Sequence, residues 1–250
     1  MADADIPEMN RDTWTERSEH EMGFWNSWVA SEGMKWKEGY QRKTDPNATL
    51  APMVENFLPT IGFAPGAHVK ILDIGSGPLS WIGTKSDNYT IDLTAVDPLA
   101  DQYNAMLDRK GVSGVGRPVK GFFEDALWQL GANQYDIVWS ANSLDHSIDP
   151  VLGLFNIINV CKIGGGVILM FHPNEAEGED YNGLHQWNLD VIDGALILHQ
   201  KGRKFSLMPL IENQSNVSVQ RIGNSDKDKA KIVVKFKKTQ DANISQAVMR

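Results

Sequence analysis

The chain has little of what would place it in a membrane, outside the cell or on nucleic acid. It carries one cysteine, Cys161, so no disulfide framework can form within it, and the expected setting is a reducing one, the cytoplasm. No run approaches the roughly 18 apolar residues of a membrane span, which leaves no membrane partner to expect. The opening MADADIPEMNRD is acidic and lacks an apolar core, so it is not read as a signal peptide. Positive charge is also short: 24 Lys and Arg against 32 Asp and Glu give a net charge of −8, which speaks against a nucleic-acid partner. The Lys-rich segment from Lys227 to Lys238 alternates and reads as the solvated face of a strand.

What is present is an alternation of strands and helices. Apolar runs at 68–75, 90–97, 117–123, 135–141 and 166–172 read as strands. Two helical stretches lie among them: DPLADQYNAMLDRKG, with its closing glycine, and DPVLGLFNIINVCKIGGG, with Asp-Pro at its start. Cys161 falls near the end of the second and reads as core. Such alternation requires crossovers, hence a parallel sheet with helices on both faces. NVSVQRIG and KAKIVVKFKK, joined by the polar NSDKDKA, read as a terminal antiparallel hairpin, and GALILHQKGRKFSL as a further hairpin around Lys201-Gly202. The expected fold is α/β, a doubly wound, mostly parallel seven-stranded sheet with a C-terminal antiparallel hairpin and an N-terminal helical extension.

Before residue 60 the composition shifts. Trp14, Trp25, Trp28 and Trp36 fall within the first 40 residues, and a helix from about Thr15 to Ala30 lines up Phe24, Trp25 and Trp28. Residues 1–60 are therefore read as a helical extension or lid, with Trp28 as a ring facing substrate, and 61–250 as the main domain, in which 173–210 is an insertion on the acceptor side.

The glycine-bearing stretch Ile71-Leu-Asp-Ile-Gly-Ser-Gly-Pro78 follows the first strand, where open α/β sheets bind ligands. A dinucleotide fingerprint, G-x-G-x-x-G, would need a third glycine where Ser80 stands. Asp73, two residues before Gly75, would repel a pyrophosphate and favour a ligand carrying an ammonium group. At this point the chain resembles the class I S-adenosylmethionine-dependent methyltransferases. ILDIGSGP is similar to their first motif, with Pro78 as a departure from the commonest form. The resemblance continues through Asp97-Pro98 after the second strand, Glu124-Asp125 after the third, and YDIVWSANSLDHSIDP at the fourth, covering roughly residues 68–172.

It implies S-adenosylmethionine as cofactor, with Asp73, Gly75, Ser76 and Gly77 beside its methionine end. Asp97 and Pro98 are then expected at the ribose, Glu124 and Asp125 near adenine, and Asn142 beside the sulfonium. Arg42 is expected to reach the methionine carboxylate. The implied activity is methyl transfer to a small polar acceptor, with a sugar hydroxyl first and an amine as the alternative. An NAD-dependent oxidoreductase and a non-catalytic binding module are the other classes.

An acceptor hydroxyl calls for a base, and His146 is the first choice because imidazole titrates near neutrality. Asp145 and His185 join it as catalytic candidates. The polar stretch after the fifth strand supplies Asn174, Glu175, Gln186 and Trp187 for the acceptor. His146, Asp145, His172 and His185 could converge on a metal, but no clustered pair of acids suits Mg²⁺, and no metal is assigned. Self-association is left open.

Overall fold

The computed structural model describes residues 9–114, 116–223 and 230–244. Helix α1, Arg11–Ala30, opens at Asn10, whose side chain accepts from the Asp12 and Thr13 amides. Helices α2, Lys37–Thr44, and α3, Pro52–Phe57, precede strand β1, His68–Ile74. Then come β2, Thr90–Asp97; α4, Ala100–Lys110; β3, Val119–Lys120; α5, Ala126–Leu130; β4, Tyr135–Ala141; α6, Pro150–Val160; and β5, Cys161–Phe171. The short helix α7, Glu175–Gly178, leads into β6, Asn188–Ile192, β7, Ala195–Gln200, and β8, Arg203–Ser206. Helix α8, Met208–Ile211, β9, Ser215–Ile222, and β10, Lys231–Lys237, are the last elements among the described residues.

The strands form a seven-stranded sheet in the order β3-β2-β1-β4-β5-β10-β9 and a separate three-stranded sheet β6-β7-β8. Strand β1 pairs in parallel with β2 and β4, and β5 in parallel with β4. Only β10 is reversed, antiparallel to both neighbours, which is the mixed sheet expected from the terminal hairpin. The polar connection expected at 224–229 lies outside the described residues.

Period-two alternation divides the buried side chains between the faces. Leu72 and Ile74 join Val138, Val167 and Leu169 on one face, covered by Leu154, Ile157 and Ile158 of α6 and by Leu189, Leu196 and Leu198 of the small sheet. Val69, Ile71, Ile137 and Ile168 line the other, covered by Val54, Phe57, Leu58 and Ile61. Residues from Leu50 onward thus pack in the core of the sheet. A third cluster docks α1 on α4: Trp14, Trp28 and Val29 pack with Leu99, Tyr103, Met106 and Leu107.

Local chemistry sets the helix ends. Gly111, at φ 63°, closes α4 with the Val112 amide donating to Leu107 O. Asp149 caps α6 by accepting from Val151 and Leu152, with Pro150 as the first helical residue.

Three expectations change. Strand 117–123 contracts to two residues, because Pro118 offers no ladder donor and the chain turns at Phe123–Asp125 into a 3₁₀ turn. Cys161 opens β5 instead of ending a helix, though it is fully buried. Lys238 is not on a solvated face: it is fully buried, donating to Cys161 O at 2.7 Å and paired with Asp241 at 2.7 Å. No helix intervenes between β1 and β2, whose connection is irregular. Among the described residues no helix is long and apolar enough to cross a membrane.

Candidate active site

The carboxyl ends of β1, β2 and β4 meet at the glycine loop. Gly75 and Gly77 have φ of 72° and 66°, a region L side chains avoid. A β-carbon at Gly75 would fall on the Ser143 side chain, so this glycine seats the loop against the end of β4. The Gly75 amide donates to Val96 O at 2.8 Å, and the Gly77 amide to Asp97 Oδ2 at 2.9 Å, which binds the loop to β2. Asp97 Oδ1 accepts from the Leu99 amide at 2.9 Å.

Ser80, where a third glycine would stand in a dinucleotide fingerprint, donates to Asp73 Oδ2 at 2.5 Å. Burial pushes Asp73 up to about 6, against the Ser80 bond and the Lys43 charge that favour ionisation. Burial pushes Asp97 further, to about 7, despite its two backbone donors. Lys43 faces both acids and donates to Ser76 O at 3.2 Å and Leu79 O at 2.6 Å; burial lowers it to about 8, against the pull of Asp73 and Asp97.

Glu124 Oε1 accepts from the Asp149 amide at 2.9 Å, while its Oε2 is buried without a partner. Burial raises its pKa. Asp125, expected beside it at adenine, is instead paired with Arg11 at 2.8 Å near the surface. Pro98 follows Asp97 in the turn before α4. Asn142, at φ 49°, donates its amide to Met170 O and leaves its side-chain oxygen buried and unpartnered. Ser143 is buried, with its hydroxyl 3.0 Å from that of Ser140.

The 3₁₀ turn Leu144–His146 after β4 brings Asp145 and His146 to His185 of the insertion. His185 Nδ1 lies 3.2 Å from Asp145 Oδ2 and 3.0 Å from His146 Nε2; the remaining side, His146 Nε2 to Asp145 Oδ2, is 3.4 Å. Burial works against charge on His185, but the Asp145 bond and the charges of Asp145, Glu175 and Glu21 overcome it and raise it to about 9. Burial likewise opposes ionisation of Asp145, yet the two histidines hold it below the usual carboxylate range. Trp14 Nε1 donates to His146 O at 2.7 Å and anchors this turn to α1. His172 is not part of the group; its Nδ1 lies 3.2 Å from Ala230 O.

Glu175 faces the same cluster. Burial, then Asp145, push it up to about 8, with His185 opposing. Trp187 is half-buried with Nε1 unpartnered. Three other acceptor-side candidates have partners within the protein. Asn174 donates to Asp190 at 2.9 Å and its Oδ1 meets His199 Nε2 at 2.7 Å, so its amide braces the insertion. Gln186 donates to Tyr181 O and Gly183 O and is buried. Trp28 is 4% exposed, packed on Trp25 and Tyr40. The Arg42 guanidinium donates to Trp81 O, Thr49 O and Ile82 O, clamping α2 to the loop after β1.

Three residues without a motif complete the site. Lys43 has been described. Trp25, one helical turn from Trp28, lies against Gly77, and its Nε1 donates to Glu21 Oε1 at 2.6 Å. Glu21 acts electrostatically on Asp97, Tyr103, Glu175 and His185, and α1 runs from the glycine loop, met by Trp25, to the His-Asp turn, met by Trp14. The one available signal was the aromatic helix itself, without its phase.

No family model matches the sequence, and no curated protein matches it. Among solved structures the chain is similar to a SAM-dependent methyltransferase from Aquifex aeolicus, at 15% identity over 84% of this chain and 97% of that one, with a TM-score of 0.43. It is similar to an S-adenosylmethionine-dependent methyltransferase from Clostridium acetobutylicum ATCC 824, at 11% identity over 88% and 100%, with a TM-score of 0.46. A third is the YcgJ protein from Bacillus subtilis, at 12% identity over 74% and 97%, with a TM-score of 0.39. Likenesses this low carry no conclusion about activity. The strand order and the single reversed strand are the chain's own, and they give it the Rossmann-like fold of the methyltransferase type.

Proposed function

We propose that this protein transfers a methyl group from S-adenosylmethionine to a small polar acceptor, a hydroxyl of a sugar or related metabolite in the first instance. The observation that carries the reading is the trio Asp73, Asp97 and Glu124, set at or just beyond the ends of β1, β2 and β3 around a left-handed glycine loop. All three accept hydrogen bonds, and the methionine ammonium, the ribose hydroxyls and the adenine amine all donate them. The unpartnered Glu124 Oε2 and Asn142 Oδ1 are further acceptors awaiting donors. A pyrophosphate offers only acceptors, and no helix N-terminus stands behind the loop to receive it. The residues present fit S-adenosylmethionine and do not fit a dinucleotide.

When bound, this cofactor supplies an electrophilic methyl carbon on a positively charged sulfur. Asp97 then takes ribose hydroxyls, Glu124 the adenine amine, and Asp73, oriented by Ser80, the charge at the methionine end. Trp25 and α1 cover the loop and exclude water. The Asp145–His146–His185 group, with Glu175 and Trp187 of the insertion, binds the acceptor at its proton-bearing atom. Alignment of nucleophile and methyl carbon contributes about 7–11 kcal/mol to lowering the barrier. An amine acceptor is the second reading, favoured by the Glu21 carboxylate that accepts from the Trp25 ring beside the glycine loop.

Calorimetric titration with S-adenosylmethionine, S-adenosylhomocysteine and NAD tests the cofactor. Binding of the first two without the third is expected, and binding of NAD alone overturns the reading. Transfer of labelled methyl to panels of sugars, amines and phenols then separates the acceptor classes.

A further inference from the structure

Asp145 Oδ2, His146 Nε2 and His185 Nδ1 form a near-equilateral triangle with sides of 3.0, 3.2 and 3.4 Å. Three such atoms meeting at one point are hard to reconcile with hydrogen bonding alone. If one imidazole N–H points inward, a single hydrogen serves the other nitrogen and the carboxylate together. If both point inward, two hydrogens crowd one oxygen. A divalent cation satisfies all three at once. With bonds of about 2.1 Å, ligand atoms stand about 3.0 Å apart at right angles and about 3.4 Å apart at the tetrahedral angle. The three observed sides span that interval, so the ion would sit about 1 Å outside the plane of its ligands without rearrangement of the side chains.

We propose that Asp145, His146 and His185 form a binding site for a first-row divalent cation of the Zn²⁺, Co²⁺ or Fe²⁺ kind. Two imidazoles and one carboxylate suit these ions and not Mg²⁺ or Ca²⁺, which take oxygen ligands. Three protein ligands leave coordination positions open, the arrangement of catalytic rather than structural metal sites. The side chains are positioned for this before any ion arrives. Asp145 is 3% exposed, its Oδ1 has no partner, and the turn carrying it is tied to α1 through Trp14. The histidines keep 15% and 16% of their side chains exposed, so the open face is reachable. The sequence shows no pair of clustered acids and assigns no metal; the third ligand comes from the insertion, 39 residues beyond His146.

Metal binding stands apart from the methyl-transfer reading; the use of the metal rests on it. An acceptor hydroxyl on the open face would lose its proton to water. Its oxygen lone pair would form the C–O bond to the methyl carbon as the C–S bond breaks, the bonding pair remaining on sulfur as a neutral thioether.

The test uses the untagged full chain, stripped by chelator and titrated with Co²⁺ and Zn²⁺. One equivalent is expected, with visible d–d absorption for Co²⁺. His146→Ala, His185→Asn and Asp145→Asn should each weaken it by at least about 100-fold, while His68→Ala and His172→Ala leave it unchanged. In the wild type, Zn²⁺ should shift the imidazole nitrogen resonances of His146 and His185, a readout that needs no variant to fold. Absence of binding at about 1 mM ion, full binding in the cluster variants, or Mg²⁺ binding as tight as Zn²⁺ overturns the site. S-adenosylmethionine affinity, measured on the same samples, separates the two proposals: its loss with intact Co²⁺ binding sinks only the methyl-transfer reading.

Discussion

The indole of Trp25 lies on Gly77: a β-carbon at that glycine would stand 3.0 Å from Trp25 Cζ2. A helix from the start of the chain thus covers the loop that follows β1, and the glycine is needed both for its φ of 66° and for the approach of the ring.

Gly77→Ala should cost about 1–2 kcal/mol, because an L side chain is strained in the left-handed region. Thermal unfolding should show a midpoint lower by a few degrees, and S-adenosylmethionine should no longer raise it. An unchanged midpoint with an intact ligand response would show that the ring and the loop are free to separate.

Asp97 joins the glycine loop to the start of α4 through the Gly77 and Leu99 amides. Its replacement by alanine should weaken S-adenosylmethionine binding by about 1–3 kcal/mol, since ribose hydroxyls are left unpaired. Calorimetry on Asp97→Ala checks this, and wild-type affinity would remove the residue from the ribose.

Cofactor affinity should depend on pH. Burial holds Asp97 at about 7 and Asp73 at about 6, above the unfolded carboxylate value of about 3.9. The folded chain therefore takes up these protons more readily than the unfolded chain. Stability from this pair rises as pH falls from about 8 toward about 4, and the cost of their ionisation is fully present only above about 8. A cationic ligand favours the ionised acids, so its dissociation constant should fall as pH rises from about 5.5 to about 7.5. Titrations across that range should show the slope, flattened in Asp97→Asn; a reversed slope contradicts the assignment.

Arg42→Ala should destabilise the protein by about 2–3 kcal/mol, because a charged donor to three carbonyls is lost. Arg42→Lys should recover only part, since an ammonium cannot reproduce the planar fork. Denaturant unfolding measures the loss. Cofactor affinity of the folded protein should hold, and a drop of tenfold or more would return Arg42 to the cofactor.

The elements legible in the sequence are those with local causes. The Gly111 stop and the Asp149-Pro150 start fix α4 and α6 through bonds spanning a few residues. Strand β4 and the second half of β1 declare themselves as apolar runs because they are buried on both faces, whereas β2 shows itself by alternation, with only its last three residues buried. The site was legible where a motif sits on those strands: Asp73, Gly75, Gly77, Asp97 and Glu124 all stand near the strand ends. Residues arriving from elsewhere were not. Lys43 reaches Ser76 across 33 residues, and no periodicity marks such a contact. Asn174 and Gln186 read as open to an acceptor because polarity is visible in sequence, whereas the partners that occupy their amides are not.

Residues close in the chain suffice for the mostly parallel α/β sheet, the glycine loop and the acids around it. Only the tertiary structure decided which indole of α1 meets the loop. Trp25 and Trp28 are three residues apart, and the docking of α1 on α4 turns Trp28 into the core and Trp25 onto Gly77. It also decided that Asp145, His146 and His185 converge, since folding of the insertion over β4 is a matter of packing across its Leu189, Leu196 and Leu198 face, not of local pattern.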